Sequence, residues 1–154
     1  MAGCLPMLLQ LVFLLAFYGA LRSIAAKETM SLVLRAAENG ASSIELTKWL
    51  WVNNLWQPDS GMAGILPSAS EFLTFLQSNT NTITPQTMGI LQSKGLILFN
   101  EGILSVNEAA YNALSTGIIA ANGLTGLNNG WFILPLLSGG AMFLQQWISS
   151  KLNP

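Results

Sequence analysis

The sequence predicts an all-α membrane protein, with two antiparallel transmembrane helices joined by a long polar segment of short helices. Three observations carry this prediction. Leu5–Leu21 and Trp131–Ile148 are apolar and free of charge, and about 18–20 apolar residues are what an α-helix needs to cross a bilayer. Eleven of the thirteen charged residues lie between them, in Lys27–Asn129. The charged fraction is only 8% and the mean hydropathy is +0.49, whereas soluble domains carry roughly a quarter charged residues. The organisation expected is helix one over 1–25, the polar segment over 26–129, helix two over 130–150, and the start of a tail over 151–154.

The first helix begins near Leu5 or Pro6, because proline is tolerated in a first turn where its missing N–H would have been unpaired anyway. Its apolar run passes through Leu11, Val12, Phe13, Leu14, Leu15 and Phe17. Tyr18 and Arg22 close it, an aromatic and a cation where an interface would lie. A secretory signal peptide would need a basic start, and Met1–Gln10 holds no Lys or Arg. Met1-Ala2-Gly3-Cys4 has the letters of a lipoprotein cleavage box, but such a box follows an apolar segment and this one precedes it. Cys4 reads as a packing residue at the helix start.

In the polar segment, Lys27–Glu38 reads as a helix ended by Asn39-Gly40, with Gly40 suited to a left-handed cap. Trp49, Trp51 and Trp56 follow, then the turn signal Pro58-Asp59-Ser60-Gly61. The three tryptophans suit either a core beneath the loop helices or an anchor at the membrane interface, and both can hold. Ser68 and Glu71 make a capping box ahead of Phe72, Leu73, Phe75 and Leu76. Thr84-Pro85 is an N-cap followed by a first-turn proline, with Gly95 as the stop. Ser105 and Glu108 suggest a second capping box before Ala109–Ala121. That run is short and contains Asn112, Ser115 and Thr116, so it reads as a packed or interfacial helix and not as a third span.

The second span carries Trp131 and Trp147 at its ends, as an aromatic belt would place them, and Pro135 inside. Ser138, Ala141 and Gln145 share one face, while Leu136, Leu137, Phe143 and Leu144 cover much of the rest. Each span also holds an amide, Gln10 in the first and Gln145 in the second. Hydrocarbon cannot satisfy such a group, so something other than lipid must face it. Gln10 lies about 7–8 Å of helix rise from Leu5, and Gln145 lies a similar distance from Ser150. In antiparallel spans both amides fall in the leaflet next to the chain ends. Either one alone reads as a helix–helix hydrogen bond. The pair at matched depth points to a polar cavity in one leaflet.

Composition removes most other functions. A net charge of −1 provides no basic field for nucleic acid. The absence of histidine removes most zinc sites, imidazole acid–base chemistry and serine–histidine triads. The single cysteine forms no intramolecular disulfide and no cysteine-rich metal cluster. Glu28, Glu38, Glu45, Asp59, Glu71, Glu101 and Glu108 have no paired spacing with a partner base, and read as solvated faces and caps. No catalytic residue, metal or cofactor is predicted, and the chain is not read as an enzyme.

Met1-Ala-Gly-Cys-Leu-Pro-Met-Leu-Leu-Gln10 resembles the Gly-Cys-Leu-Pro-x-x-x-Gln start of a core helix in YidC-type (Oxa-type) membrane protein insertases. Ile133–Gln146 resembles the next core helix of that family. Leu50-Trp51 with Asn54–Asp59 resembles its Leu-Trp…Asp-Leu…Asp segment, and the motifs stand in the family's order. The resemblance implies a non-enzymatic insertase and chaperone of the cytoplasmic membrane. In that family five core helices surround a polar groove open to the cytoplasm and to lipid. Gln10 and Gln145 match positions facing that groove, and Ser138 shares the Gln145 face. Tyr18, Trp131 and Trp147 would be interface anchors, the termini cytoplasmic and residues 26–129 an enlarged extracytoplasmic loop. The partners implied are the lipid bilayer and nascent membrane proteins, with the Sec translocase and the ribosome reached through other parts of a parent protein. The family's groove arginine has no counterpart, since Arg22 lies at the wrong end of span one. The helical hairpin expected upstream and two core helices expected downstream are also missing, so the sequence reads as an internal piece. The competing expectation is a membrane hairpin that displays residues 26–129 as a binding module.

Overall fold

A computed structural model describes residues 4–80 and 83–152, with side chains from Gln10 onward. Met1–Gly3 and the side chain of Cys4 therefore lie outside the described residues. The first helix, α1, runs unbroken over Cys4–Asn39. Its 36 residues correspond to about 54 Å of helix, well beyond the hydrocarbon thickness of about 30 Å. The predicted helix over Lys27–Glu38 is thus the far end of the first apolar helix, since no Gly or Pro interrupts the backbone between them. It stops as expected, at Gly40 with φ 92°, where glycine carries no Cβ penalty.

The two parts of α1 have different surroundings. From Leu11 to Leu21 the large apolar side chains are exposed. From Met30 onward α1 becomes the wedge of a folded unit. Met30, Val33 and Ala37 lie on one face and pack with Phe72, Leu76, Leu91, Leu96, Ile97 and Tyr111. Leu32 and Ala36 lie on the other and pack with Ile44, Leu46, Ile65, Leu66, Ile118 and Leu124. Spacings of three, four and seven residues are what align side chains along a helix face.

After a 3-10 turn at Ala41–Ser43 and an irregular stretch, α2 (Ala69–Ser78) and α3 (Pro85–Ser93) complete the first cluster. Both begin as their sequences predict. Ser68 and Glu71 form a reciprocal capping box, and the Thr84 side chain accepts from the Thr87 N–H with Pro85 in the first turn. Gly95 sits at φ 68° just after α3. Then β1 (Ile97–Asn100) and β2 (Ile103–Val106) form an antiparallel hairpin, Ile97 opposite Val106 and Asn100 opposite Ile103. This corrects the all-α expectation. The hairpin turns through Glu101 at φ 51° and Gly102 at φ 81°. Such a turn normally advertises itself as Asn-Gly or Asp-Gly, and glutamate in the first position hid it.

The hairpin also overturns the second capping box, because Ser105 is inside β2. The cap of α4 (Glu108–Ala121) is Asn107, whose side chain accepts from the Ala110 N–H. α4 is a packed helix, as expected, with Tyr111 in the first cluster and Ile118 in the second. Tyr111 stacks against Phe72 at 4.9 Å between ring centroids, and its hydroxyl donates to the Pro67 carbonyl at 2.8 Å. Burial, reinforced by the charge of Glu71, pushes its phenol well above the ordinary tyrosine range.

The last helix, α5, spans Ile133–Leu152 and has no buried residue. Trp131 and Phe132 precede it, so the predicted second span starts two residues late. Pro135 falls in its first turn and causes no interior break. Among the described helices, α1 over Gln10–Asn39 is the one long and apolar enough to cross a membrane by length and composition. Gln145 and Gln146 lower the hydropathy of α5.

The wedge role of α1 gives a direct test. A segment beginning at Lys27 and ending at Asn129 should melt cooperatively by circular dichroism. A segment beginning at Ala41 loses Met30, Leu32, Val33, Ala36 and Ala37 and should show no cooperative transition, since each large core truncation costs about 2–5 kcal/mol.

Candidate functional site

The described residues include no group of three or more potential metal-ligating side chains. What they do include is a polar closure that joins the two ends of the Ser60–Gly130 excursion. Asn54 and Asn129 are fully buried, and a buried amide is tolerated only when its donors and acceptors are met. Asn129 Oδ1 accepts from the Asn54 N–H at 2.7 Å. Its Nδ2 donates to the carbonyls of Asn54, Gln57 and Pro58 at 2.9, 2.9 and 3.1 Å. Asn54 Nδ2 donates to the Ile65 carbonyl at 2.7 Å, and its Oδ1 accepts from the Trp56 N–H at 3.1 Å. Neighbouring amides extend the seam: Asn53 donates to the Asn128 carbonyl, and Asn128 donates to the Gly61 carbonyl.

Beside this seam, Asp59 caps α5. The α5 N-cap position is Phe132, whose carbonyl accepts the helix-type bond from Leu136, but phenylalanine has no side-chain acceptor for the free N–H groups of the first turn. Asp59 supplies it from more than seventy residues upstream. Its Oδ1 accepts from the N–H of Trp131 at 2.8 Å and of Phe132 at 3.1 Å. Its Oδ2 accepts from the N–H of Leu134 at 2.7 Å and from Trp51 Nε1 at 3.1 Å. A carboxylate at a helix N-terminus is also favoured by the helix dipole. Desolvation pushes the Asp59 carboxyl up, but hydrogen bonds from Leu134, Trp51, Trp131 and Phe132 outweigh it and hold the group below its usual 3.8.

Two backbone features show how tightly the cap is built. A Cβ placed on Gly130 would overlap the Asp59 carboxylate and come within 3.2 Å of its Cα. Phe132 adopts φ 62°, a left-handed conformation that is an outlier for a bulky residue and costs about 1–3 kcal/mol.

The site residues expected from sequence lie elsewhere. Gln10 on α1 and Gln145 on α5 are exposed, as are Tyr18, Trp131 and Trp147. Ser138 is exposed as well, and its hydroxyl donates to the Leu134 carbonyl of its own helix at 2.9 Å. Of the three tryptophans, one takes the core role foreseen for them. Trp56 packs on the second core cluster, Trp51 holds Asp59, and Trp49 stays half exposed. Sequence reading placed Asp59 among local caps and turns and gave Asn54 and Asn129 no role. The one available signal was the Asn-Asn-Gly run ahead of an uncapped apolar helix.

The family model described as 60Kd inner membrane protein matches residues 1–106. The chain belongs to this family, the YidC/Oxa1 family. The match takes in α1, the Leu50–Asp59 segment and the chain as far as the end of β2, and leaves α4, the closing Asn129 and α5 outside it. No curated protein and no solved structure matches the chain.

Disrupting the cap should have a local signature. Asp59→Ala, and Gly130→Ala through steric overlap, should raise amide exchange at Trp131, Phe132 and Leu134 while leaving the α2 and α4 amides unchanged. Because the Asp59 carboxyl is depressed in the folded state, its contribution is complete above the ordinary carboxylate range. It is lost as pH falls through the lowered value. Protection of the Leu134 amide should therefore persist through pH 3.8 and disappear only below it. Asn129→Asp, which keeps the shape but loses the donor, should leave buried carbonyls unpaired at about 1–3 kcal/mol each, read as a lower midpoint in thermal unfolding.

Proposed function

We propose that this chain is part of a membrane protein insertase of the cytoplasmic membrane, in which α1 and α5 are two neighbouring walls of a polar groove. The observation that carries the reading is membership of the YidC/Oxa1 family, through a match that includes all of α1, and membrane protein insertion is the activity this family suggests. The fold adds physical support. Both helices expose long charge-free surfaces that stay uncovered among the described residues, which suits lipid on one side and further helices on the other. α1 enters the folded unit by its C-terminal end and α5 leaves it by its N-terminal end. That is the connection an antiparallel pair needs, with residues 26–129 on the extracytoplasmic side and the termini in the cytoplasm.

In this reading Gln10, Gln145 and the Ser138 face line the groove. Their amides and hydroxyl give polar stretches of an incoming chain hydrogen-bond partners at a depth where lipid offers none. Apolar stretches gain by sliding outward into hydrocarbon. The process needs no covalent step. Nascent membrane proteins are the substrates, and the remaining walls, the groove charge and any contact with the Sec translocase or the ribosome come from other parts of a parent protein.

The independent core of the middle unit favours one second reading, a membrane-anchored extracytoplasmic binding module. The two readings make opposite predictions for photocrosslinkers placed at Gln10 and Gln145 in the parent protein. An insertase groove crosslinks a stalled nascent membrane protein from both positions and not from Phe143 on the opposite face of α5. A binding module crosslinks it from neither, and that result would overturn the groove assignment.

A further inference from the structure

We propose that the turn Trp49–Val52, together with Met62 and the Trp131-Phe132 lead-in to α5, forms a lipid-facing anchor that lies in the outer membrane interface. The turn closes by two hydrogen bonds, Trp49 N–H to the Val52 carbonyl at 3.0 Å and Val52 N–H to the Trp49 carbonyl at 2.8 Å. Leu50, at its tip, has φ 52°, the position that in such turns selects glycine. Yet it is a leucine, and it is 73% exposed. The backbone does not favour that choice, and so exposed a side chain gains little from packing among the described residues, which points to a contact outside them.

Its surroundings name the occupant. Trp51, next to Leu50, donates to Asp59, and Asp59 accepts from Trp131 and Phe132, so the turn and the start of α5 are held together. Met62 is 93% exposed and Trp131 71%. Met62 follows Gly61, whose carbonyl accepts from Asn128 beside the same lead-in. Trp49, Leu55 and Phe132 are about half exposed around them. Asp59 is the only charged residue between Lys48 and Glu71, and there is none between Glu108 and Lys151. That single charge is taken up by four donors. The result is an apolar, tryptophan-bearing surface whose one charge, on Asp59, is hydrogen-bonded by those donors, and it is continuous with the first turn of a helix that itself carries an apolar exposed surface. Tryptophans concentrate at the membrane–water boundary because their apolar rings carry a polar N–H. An exposed patch of this kind marks a membrane or protein contact, and continuity with α5 selects the membrane.

The proposal rests on α5 crossing the bilayer, and the experiment separates the two. In the full chain with Cys4→Ser, a fluorophore is attached singly through Leu50→Cys, Met62→Cys, Gln92→Cys or Phe143→Cys. The protein is reconstituted in vesicles of phosphatidylethanolamine and phosphatidylglycerol that carry lipid quenchers near the headgroup or deep in the acyl chains. The Phe143 label should respond to the deep quencher, and the Gln92 label, on exposed α3 surface, to aqueous iodide alone. The Leu50 and Met62 labels should respond to the shallow quencher at least about twofold more than to the deep one, as expected at the interface. Iodide quenching at Leu50 and Met62 equal to that at Gln92 overturns the anchor. Shielding of both from iodide and lipid alike means protein cover, by a second copy or another partner, and also overturns it. A Phe143 label untouched by the deep quencher overturns the spanning of α5 itself.

Discussion

One carboxylate, Asp59, fixes where α5 begins. A helix that opens on Trp131-Phe132-Ile133 has no side chain of its own to satisfy its first N–H groups. The chain meets that need from a distance, with an anion accepting from three backbone N–H groups and an indole. The rest of the closure follows from it. Gly130 must be glycine to let the carboxylate in, and Phe132 turns through a left-handed conformation as the chain swings into the helix. Asn129 ties off the backbone just before that turn.

Because Asp59 and Trp131 touch, the chain from Ser60 to Gly130 leaves and returns at one place. However much structure that segment holds, it begins and ends beside the first turn of α5. Its stability comes from the opposite direction, from α1. The far end of that helix is shared between both hydrophobic clusters, so one continuous rod is both an exposed apolar surface and the centre of the folded unit. The two roles require different residues, large side chains outward near Phe13 and small or branched ones such as Val33, Ala36 and Ala37 where other elements crowd in.

The parts of this fold that were legible in sequence are those set by local chemistry. Helix ends at Asn39-Gly40, Ser68, Thr84 and Gly95 were signalled by residues within a turn of the boundary, and the structure has them there. The apolar helices were legible from length and charge. What escaped is either disguised or non-local. The β1–β2 hairpin turns on Glu101-Gly102, an unusual pair for that geometry, and its strands are only four residues each. Asn107 took the cap that Ser105 appeared to offer, because Ser105 was needed in β2. The roles of Asp59, Asn54 and Asn129 depend on residues more than seventy positions apart, and no local pattern encodes such a pairing. Gln10, Gln145 and Ser138 stand as polar positions on exposed stretches of α1 and α5, with no contact among the described residues that gathers the three into one site.

The distance between Asp59 and Leu134 also sets an order of events in time. They are 75 residues apart, and a ribosome adding about 5–20 residues per second takes roughly 4–15 s to make the second after the first. Helices and hairpins form in microseconds, and every residue of the two clusters has been made by Leu124. Asp59 is therefore made seconds before the N–H groups it accepts from, whereas Leu124 and Asn129 leave the ribosome almost together with the first turn of α5, so the closure and the start of the helix form as one event.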